Sequence, residues 1–449
     1  MIKKIFAGSI LIIALISVVG LYYKHKSQNL DTAKLDSFFN ALTAHNKNMG
    51  SLTISSDGMV VYQKAIGYSQ LNGEAKTAAT IKTKYRIGSI SKMFTAVMVF
   101  QLIEEGKLSL KTTLATWYPQ LPNAAKITIS EMLDHRSGLH NFTNDTLYSS
   151  YETKPQSEDA MISRMEKQKP DFEPDTKADY SNTNFVLLGY IVEKITGKPY
   201  NEELKKRITS KIGLTDTYYG GKTNPANNEA YSYSYQGQWN QEPETDMSIP
   251  GGAGAIVSTP TDLVKFIEAL FGGKLISQNS LNQMTTMRDN YGMAMFEMPF
   301  DEKKSYAHSG AIDSFSSMLA YFPEEKLAVS YISNGVVYST DDVINAALSI
   351  YFNKPFSIPE FKTITLKTTE LDKYLGNYKS TQLPLKITVT KNNTTLIVDA
   401  TGHRPLALEA VGDDKFSDAQ AALTIQFDPG IGEFTVFQGG KTYLFTKIK

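Results

Sequence analysis

The chain has 449 residues, and its 46 Lys and Arg balance its 46 Asp and Glu, so the formal net charge is zero. This balance argues against a nucleic-acid-binding protein, which needs a basic face. The sequence contains no cysteine, which excludes disulfides, thiol catalysis and cysteine-bound zinc, and its six histidines are too scattered to predict a metal site. We therefore expect neither a metal nor a cofactor, in a chain long enough for two or three domains.

An uncharged apolar run occupies residues 5–23, between Lys3-Lys4 and Lys24-His25-Lys26. Its length is close to the roughly 18–20 residues that span a bilayer, and secretory signal peptides also place an apolar stretch after a basic one. Residues 1–28 are therefore predicted to be a signal peptide or a membrane anchor, and the sequence leaves open whether they are cleaved. Either outcome places the rest of the chain outside the cytoplasm, in the periplasm or at the cell surface, and we expect residues 5–23 to anchor it.

The stretch from 29 to 355 mixes helical and strand patterns. Apolar residues recur at helical spacing within 29–46, and two strand-like segments then flank a turn at Asp57-Gly58. The later elements, in chain order, are a helix from Ser89 to Gly106, helices within 129–139 and 185–195, a helix starting near Thr259, and strands at 316–320 and 327–332. This order predicts an α/β (α+β) domain with a mixed antiparallel sheet and a helical insert.

The pattern changes after residue 355. Residues 356–360 have the composition of a linker, and short alternating apolar segments follow at 385–389, 396–398, 423–427 and 434–437. Asn392-Asn393 and Gly439-Gly440 stand between such segments, at positions typical of hairpin turns. Residues 360–449 are therefore predicted to form a small antiparallel β-barrel or sandwich.

The segment Ser89-Ile90-Ser91-Lys92 contains a serine and a lysine that can act together in catalysis. Residues three apart on a helix share a face, so the Lys92 amine can reach the Ser89 hydroxyl. A serine hydroxyl is a poor nucleophile until a nearby base takes its proton, and this pair provides a base without histidine. The pair alone is also consistent with a helix-capping serine and a solvated lysine, since such short motifs occur by chance.

Further short motifs follow along the chain. Tyr180-Ser181-Asn182 precedes an apolar helix and is compatible with a simple turn, and His308-Ser309-Gly310 precedes a strand, where the histidine has an equally plain structural interpretation. Asp134-His135 is interpreted as a brace for a loop near a cleft. Gly252 and Gly254 are expected to permit close approach of the backbone.

Taken in order, these motifs resemble the serine β-lactamase-related family, which includes class C β-lactamases, D-alanyl-D-alanine carboxypeptidases, D-aminopeptidases and esterases. The resemblance extends over roughly residues 30–350 and rests on separated motifs that occur in the family's order. They are residues 86–92, residues 133–139, Tyr180-Ser181-Asn182, Gly252-Ala253-Gly254 with Ser258-Thr259, and His308-Ser309-Gly310. It implies the β-lactamase/transpeptidase-like fold for this part of the chain.

The resemblance implies that Ser89 is the nucleophile, with Lys92 as its partner and Tyr180 as the general base or a base shared with Lys92. Free Tyr and Lys both titrate near pH ~10, so neither is a good base at neutral pH. We expect the lysine ammonium to favour the phenolate and so to lower the pKa of Tyr180.

The same resemblance implies a substrate-binding set. Asn182 would contact the substrate amide and orient Lys92, and His308 and Gly310 would line the cleft on a strand of the sheet. The backbone N–H groups of Ser89 and Ala311 would form the oxyanion hole, which stabilises the tetrahedral intermediate.

One departure from the family pattern bears on the substrate. Class C β-lactamases have Lys-Thr-Gly where this chain has His308-Ser309-Gly310, and the histidine resembles the carboxypeptidase and esterase branches more. The expected protein is an exported serine hydrolase that forms an acyl-enzyme on a peptidoglycan-type D-amino-acid peptide, a small ester or amide, or a β-lactam. The alternatives are a class C-like β-lactamase and a non-catalytic penicillin-sensing or cell-wall-binding protein that retains the fold.

The C-terminal segment resembles the lipocalin-like β domain found at the end of some members of the family. Residues 371–378, at the start of this segment, carry the likeness. We interpret it as a stabilising accessory domain, with docking to a cell wall or another protein as the alternative.

Overall fold

The computed structural model describes residues 30–448 except 74, 362–363, 365, 402–404, 419–420 and 422. The apolar run at 5–23, predicted to be a signal peptide or membrane anchor, lies outside the described residues. Of the helices that are described, none is both long enough and apolar enough to span a bilayer.

The α-helices of the described residues all lie before residue 352, and several begin with a side-chain cap. Thr128 and Glu131 form a reciprocal capping box, and Thr259 caps a helix whose first residue is Pro260. The helices are α1 (Thr32–Ala44), α2 (Ser91–Glu104), α3 (Ile129–Leu133), α4 (Glu158–Glu166), α5 (Asn182–Thr196), α6 (Tyr200–Leu204), α7 (Ser210–Ile212), α8 (Gly251–Gly254), α9 (Pro260–Phe271), α10 (Gln278–Met284) and α11 (Thr340–Tyr351).

The strands up to residue 336 form one large sheet and two small ones. They are β1 (Asn48–Ser56), β2 (Met59–Ile66), β3 (Tyr68–Asn72), β4 (Ala75–Ala78), β5 (Tyr85–Arg86), β6 (Tyr218–Tyr219), β7 (Tyr233–Tyr235), β8 (Trp239–Gln241), β9 (Ile256–Ser258), β10 (Tyr291–Gly292), β11 (Met295–Glu297), β12 (Tyr306–Ile312), β13 (Phe315–Phe322) and β14 (Leu327–Val336). The large sheet has the order β10-β11-β12-β13-β14-β1-β2, and β7 and β8 extend it beside β14. Its pairs are antiparallel except for β7 with β14.

The large sheet is covered on both faces. On one face, α1 and α11 bury an apolar cluster that includes Phe38, Phe39 and Ile344. On the other face, α9 and the helical insert bury a larger cluster around Phe94 and Phe266. The predicted mixed α/β fold with a helical insert is confirmed, and the predicted helices and strands occur with somewhat different ends.

The turn that carries Ser89 differs from the prediction in one respect. Ser89 lies in a short 3₁₀ segment, Gly88–Ile90, and α2 begins two residues after it. Gly88 adopts a φ of +52°, a conformation that glycine tolerates far better than other residues. The tight turn connects β5 to α2 and places Ser89 at the foot of a helix whose side chains are almost all buried.

The C-terminal strands form a closed eight-stranded barrel, because the first strand pairs with the last as well as with the second. They are β15 (Gly376–Lys379), β16 (Lys386–Asn392), β17 (Thr395–Ala400), β18 (Leu406–Gly412), β19 (Lys415–Asp418), β20 (Leu423–Asp428), β21 (Glu433–Gln438) and β22 (Lys441–Lys447). Inward-facing side chains such as Phe427 and Phe434 fill the interior, as expected for a barrel of this size.

The stacked pair Phe94–Phe266 joins α2 to α9, with ring centroids 3.8 Å apart. Phe266→Ala should lower the free energy of unfolding by about 3–5 kcal/mol, because a fully buried phenyl ring leaves a cavity. Urea denaturation followed by circular dichroism measures the change. Phe437→Ala, which removes a ring that is 45% exposed, is the matched control and should have a much smaller effect. Equal losses in the two variants would contradict this account of the core.

Candidate active site

Ser89 lies where two cavities meet. The first, of ≈ 880 Å³, is also lined by Tyr180 and His308, and we call it the first arm. The second, of ≈ 320 Å³, is also lined by Phe142 and Glu152, and we call it the second arm. Ser89, Asn182 and Ala311 line both, so a molecule lying across the two arms passes over the Ser89 hydroxyl.

Lys92 is fully buried beneath Ser89, one turn further along the chain. Its Nζ lies 2.9 Å from Ser89 Oγ, 2.7 Å from Asn182 Oδ1 and 2.8 Å from the carbonyl oxygen of Ala253. These contacts join α2, α5 and α8 at one nitrogen atom. They also place the Lys92 amine where it can exchange a proton with the serine.

Tyr180 approaches Ser89 from the loop that precedes α5. Its Oη donates a hydrogen bond of 2.7 Å to Ser89 Oγ. The Lys92 Nζ lies 5.0 Å from the centre of the Tyr180 ring. The three side chains predicted to act together therefore meet around the Ser89 oxygen, although Tyr180 is 91 residues away in sequence.

Burial affects the charges of Ser89, Lys92 and Tyr180, which we call the trio. Desolvation holds the pKa of Lys92 well below its ordinary value, because burial penalises the ammonium. A neutral amine has two N–H groups and a lone pair. Asn182 Oδ1 and the Ala253 carbonyl accept the two N–H groups, and the lone pair is then free to accept the Ser89 proton.

The expected lowering of the Tyr180 pKa is wrong. Burial instead raises the pKa of Tyr180 above its ordinary value, and the hydrogen bond to Ser89 offsets only part of this effect. The physical reason is that the argument from sequence assumed a charged lysine, whereas Lys92 is fully buried and Tyr180 is partly buried, and burial disfavours the charged form of both groups. The shifts of Lys92 and Tyr180 thus both favour the uncharged forms, an amine and a phenol, beside the Ser89 hydroxyl.

Asn182 connects the trio to the second arm. Its Oδ1 accepts from Lys92, and its Nδ2 donates to Thr143 Oγ1 at 3.2 Å. Its backbone N–H donates to Asn141 Oδ1 at 3.0 Å, at the start of α5. Asn182 is therefore held through both its backbone and its side chain, and these partners determine the orientation of its side-chain amide.

His308 stands on β12 in the first arm, 6.4 Å from Tyr180 between ring centres. It is almost fully buried, and burial is the main reason that its pKa is lowered to about 3. His308 is therefore neutral at physiological pH. It adds a polar ring to the cleft without adding charge.

Two glycines bring the Ser89 turn against strand β12 of the sheet. A Cβ on Gly310 would lie 2.1 Å from the carbonyl oxygen of Ile87 and 3.0 Å from Ser89 N. A Cβ on Gly88 would lie 2.8 Å from Ala311 N. The backbone nitrogens of Ser89 and Ala311 consequently lie on neighbouring stretches of chain beside the cleft, as the predicted oxyanion hole requires.

Sequence reasoning missed several supports of this site. Arg86 is buried and donates to Asp313, at 3.0 Å, and to the carbonyl of Thr245, which ties β5 to the turn after β12 and to the second arm. Tyr291 in the first arm and the Ala253 carbonyl were also not assigned. No local pattern predicts these roles, although the motif at residues 86–92 contains Arg86 and the Gly252-Ala253-Gly254 motif contains Ala253.

The glycines of that motif serve the predicted purpose. A Cβ on Gly252 would lie 2.6 Å from the Phe185 carbonyl oxygen and 3.0 Å from the Gly189 Cα. This close approach lets α8 pack on α5 and carry the Ala253 carbonyl to Lys92. Within the described residues, no group of three or more metal-ligating side chains is arranged to hold a metal ion.

Comparison with known proteins identifies the family. The Beta-lactamase family model matches residues 35–351. The chain belongs to the Beta-lactamase family. Among curated relatives, Penicillin-binding protein 4* of Bacillus subtilis (strain 168) is 25% identical over 427 residues, which cover 88% of this chain and 93% of the relative. A putative penicillin-binding protein, PbpX, of the same organism is 28% identical over 288 residues, covering 64% of this chain and 70% of that one.

Solved structures of this family agree with the fold. D-amino acid amidase from Ochrobactrum anthropi SV3 superposes with a TM-score of 0.63 and 26% identity, over 72% of this chain and 99% of that one. The octameric penicillin-binding protein homologue from Pyrococcus abyssi superposes with a TM-score of 0.63 and 25% identity, over 93% and 100%. The second similarity extends beyond the family-model match and into the C-terminal barrel.

Gly310→Ala should strongly reduce the reactivity of Ser89 toward an activated ester. The new methyl group cannot fit beside the Ile87 carbonyl and Ser89 N without moving the Ser89 turn. Stopped-flow release of p-nitrophenol measures the rate. Gly412→Ala, whose Cβ would meet only a Lys415 side chain at 3.5 Å, is the control and should react as the unmodified protein does. An unchanged rate in Gly310→Ala would show that this contact does not position Ser89.

The pH dependence of the same reaction should reflect a neutral Lys92. Because its pKa is lowered, the rate should be level from neutral to alkaline pH and should fall only as acid protonates the amine. A lysine with its ordinary pKa of about 10.4 would instead make the rate rise roughly tenfold per pH unit up to that value. A continuous alkaline rise would contradict the assignment.

If Lys92 acts as a base, Lys92→Arg should remove that function, because a guanidinium stays charged and has no lone pair to offer. We expect a loss of roughly 10²–10⁴-fold in the same ester assay, the usual contribution of a general base. Lys107→Arg, at a lysine whose side chain is 52% exposed, is the matched control. A Lys92→Arg variant that retains its rate would exclude Lys92 as the base.

Proposed function

We propose that this protein is a serine hydrolase that works outside the cytoplasm through an acyl-enzyme on Ser89. The observation that carries the proposal is the Ser89 hydroxyl oxygen, which lies 2.7 Å from Tyr180 Oη and 2.9 Å from Lys92 Nζ at the junction of two arms. A nucleophile with two proton-handling partners within hydrogen-bond distance is the arrangement that covalent catalysis requires.

Acylation would begin with attack of Ser89 Oγ on a carbonyl carbon of the substrate. The Ser89 proton passes to the neutral Lys92 amine, and the carbonyl becomes an oxyanion beside the backbone N–H groups of Ser89 and Ala311. When the tetrahedral intermediate collapses, the bond to the leaving group breaks. Tyr180 gives its phenolic proton to that group and regains one from the Lys92 ammonium.

Deacylation would use the same groups with water in place of the leaving group. A water molecule on the Tyr180 side loses its proton to the neutral Lys92 amine and attacks the ester carbon. The bond to Ser89 Oγ breaks, and the serine recovers its proton. No group outside the site needs to supply or remove charge, since each proton returns to its starting position.

The position of Tyr180 assigns the two arms. The leaving group must depart toward its proton donor, and Tyr180 lines only the first arm. The acyl part of the substrate would then lie in the second arm, between Phe142 and Pro243. The first arm, with Tyr291, Phe296 and His308, would receive the leaving group.

We propose a D-amino-acid peptide of the peptidoglycan type, or a small ester or amide, as the substrate. Relatives named penicillin-binding proteins and a structural relative named D-amino acid amidase support this substrate class. The neutral His308, at the position where class C β-lactamases have a lysine, favours a peptidase or esterase over a specialised β-lactamase. The names of the penicillin-binding relatives also support action outside the cytoplasm, with residues 5–23 as the proposed export or anchoring segment.

The test is incubation of the protein with benzylpenicillin, followed by intact-mass spectrometry and analysis of the drug in the same sample. We expect a persistent adduct of one drug mass on Ser89 and its absence in Ser89→Ala. Hydrolysed drug without a persistent adduct would instead identify a β-lactamase. Intact drug, no adduct and no Ser89-dependent hydrolysis of D-amino-acid amides or p-nitrophenyl esters would overturn the proposal in favour of a non-catalytic sensor or binding protein.

A further inference from the structure

His135 is bonded to the chain on both sides of Tyr180. Its carbonyl oxygen accepts a hydrogen bond of 2.9 Å from the backbone N–H of Asp179. Its ring Nδ1 accepts one of 3.2 Å from the backbone N–H of Ser181. The residue before Tyr180 and the residue after it are thus both fixed by His135.

The ring of His135 also packs directly on the phenol ring. The centres of the His135 and Tyr180 rings are 4.4 Å apart, with an angle of 33° between the planes. The rings of Phe185 and Tyr291 lie farther from the His135 ring, at 5.3 and 5.4 Å. His135 is 1% exposed. Its contact therefore defines one face of the space in which the Tyr180 ring can lie.

The hydrogen bonds also fix the chemical state of His135. Because Nδ1 accepts from Ser181, the ring proton must be on Nε2 in the neutral form. Burial, the main cause, holds the pKa of His135 well below its ordinary value, so the ring stays neutral. A neutral His135 can accept from Ser181 throughout the pH range in which Lys92 acts as a base.

The backbone of His135 is itself anchored. Its φ is +60°, in the left-handed region. In this conformation the ring and the carbonyl of His135 both face residues 179–181. The next residue, Arg136, accepts the Asp175 N–H through its carbonyl at 2.8 Å and donates to the Asp175 carboxylate at 2.8 Å. His135 is therefore a fixed point to which the Tyr180 loop is attached.

We propose that His135 is a positioning residue that sets the Tyr180 phenol on the Ser89 oxygen through both hydrogen bonds and the ring contact. The inference rests on the proposed function, because positioning matters only if Tyr180 moves protons for Ser89. The Tyr180 side chain donates its hydrogen bond to Ser89 and gains its orientation from the backbone and rings around it. A displacement of about 1 Å in such a group can reduce the rate ~100-fold.

Two substitutions test the hydrogen bond from Ser181 while preserving the left-handed backbone at residue 135. His135→Gly tolerates the left-handed φ and keeps the carbonyl bond to Asp179, but it removes the acceptor for Ser181 and the ring. His135→Asn also tolerates that φ, and its Oδ1 takes the position of Nδ1 as an acceptor. We expect His135→Gly to lower kcat for a p-nitrophenyl ester by ~100-fold with little change in KM. His135→Asn should recover most of that loss.

A double-mutant cycle with Tyr180→Phe distinguishes positioning from general damage. If His135 acts through the phenol, His135→Gly should change the rate of Tyr180→Phe by no more than roughly twofold, since the group it positions is already gone. Thermal melting checks that each variant is folded. If His135→Gly does not fold, His135→Asn is carried through the same cycle, since asparagine also tolerates the left-handed φ.

The outcomes divide cleanly between the two proposals. An unmodified protein without Ser89-dependent activity would contradict the proposed function. An active protein in which His135→Gly keeps its rate, or loses as much again in the Tyr180→Phe background, would overturn the positioning role alone. Failure of a folded His135→Asn to recover activity would overturn the part of the proposal that rests on the hydrogen bond to Ser181.

Discussion

The burial of the Lys92 amine is the constraint on which the rest of the site depends. A buried ammonium without a carboxylate partner is costly, so the group becomes neutral instead. Neutrality gives the amine a lone pair, and the Asn182 and Ala253 oxygens leave that lone pair directed at Ser89. The helices α2, α5 and α8 must therefore pack closely enough to exclude water from one nitrogen atom, which explains why glycines are needed where α8 crosses α5.

The same requirement for close approach governs the other half of the site. The turn at Ser89 and strand β12 touch through Gly88 and Gly310, with no space for a side chain between them. Backbone N–H groups are useful to an oxyanion only if they are held in place before the reaction, because donors that must reorganise lose much of their effect. A large sheet, covered by helices on both faces, provides that rigidity. The helical layer supplies the proton-handling side chains, and the sheet supplies a fixed strand.

Much of this organisation could be predicted from local pattern. The family fold was indicated by the Ser89–Lys92 spacing and by short motifs in a fixed order, and the barrel by alternation in the C-terminal strands. Each motif and each strand pattern is formed by residues close together in sequence. The prediction for the charge of Tyr180 was wrong for a related reason. Free pKa values and a neighbouring ammonium suggested a phenolate, but desolvation comes from residues across the whole fold and acts on both groups at once.

The sequence by itself determined which residues are available for chemistry and which helices and strands present them. Only the tertiary structure decided that Tyr180 reaches a serine 91 residues away, that Ala253, 161 residues from Lys92, accepts its N–H, and that His135 holds both neighbours of Tyr180. Helical and strand periodicity are local properties, whereas distances between remote residues and the water content of a site follow from how the layers pack. That is why the proposed nucleophile and its partner were visible in the chain, while their protonation and alignment were not.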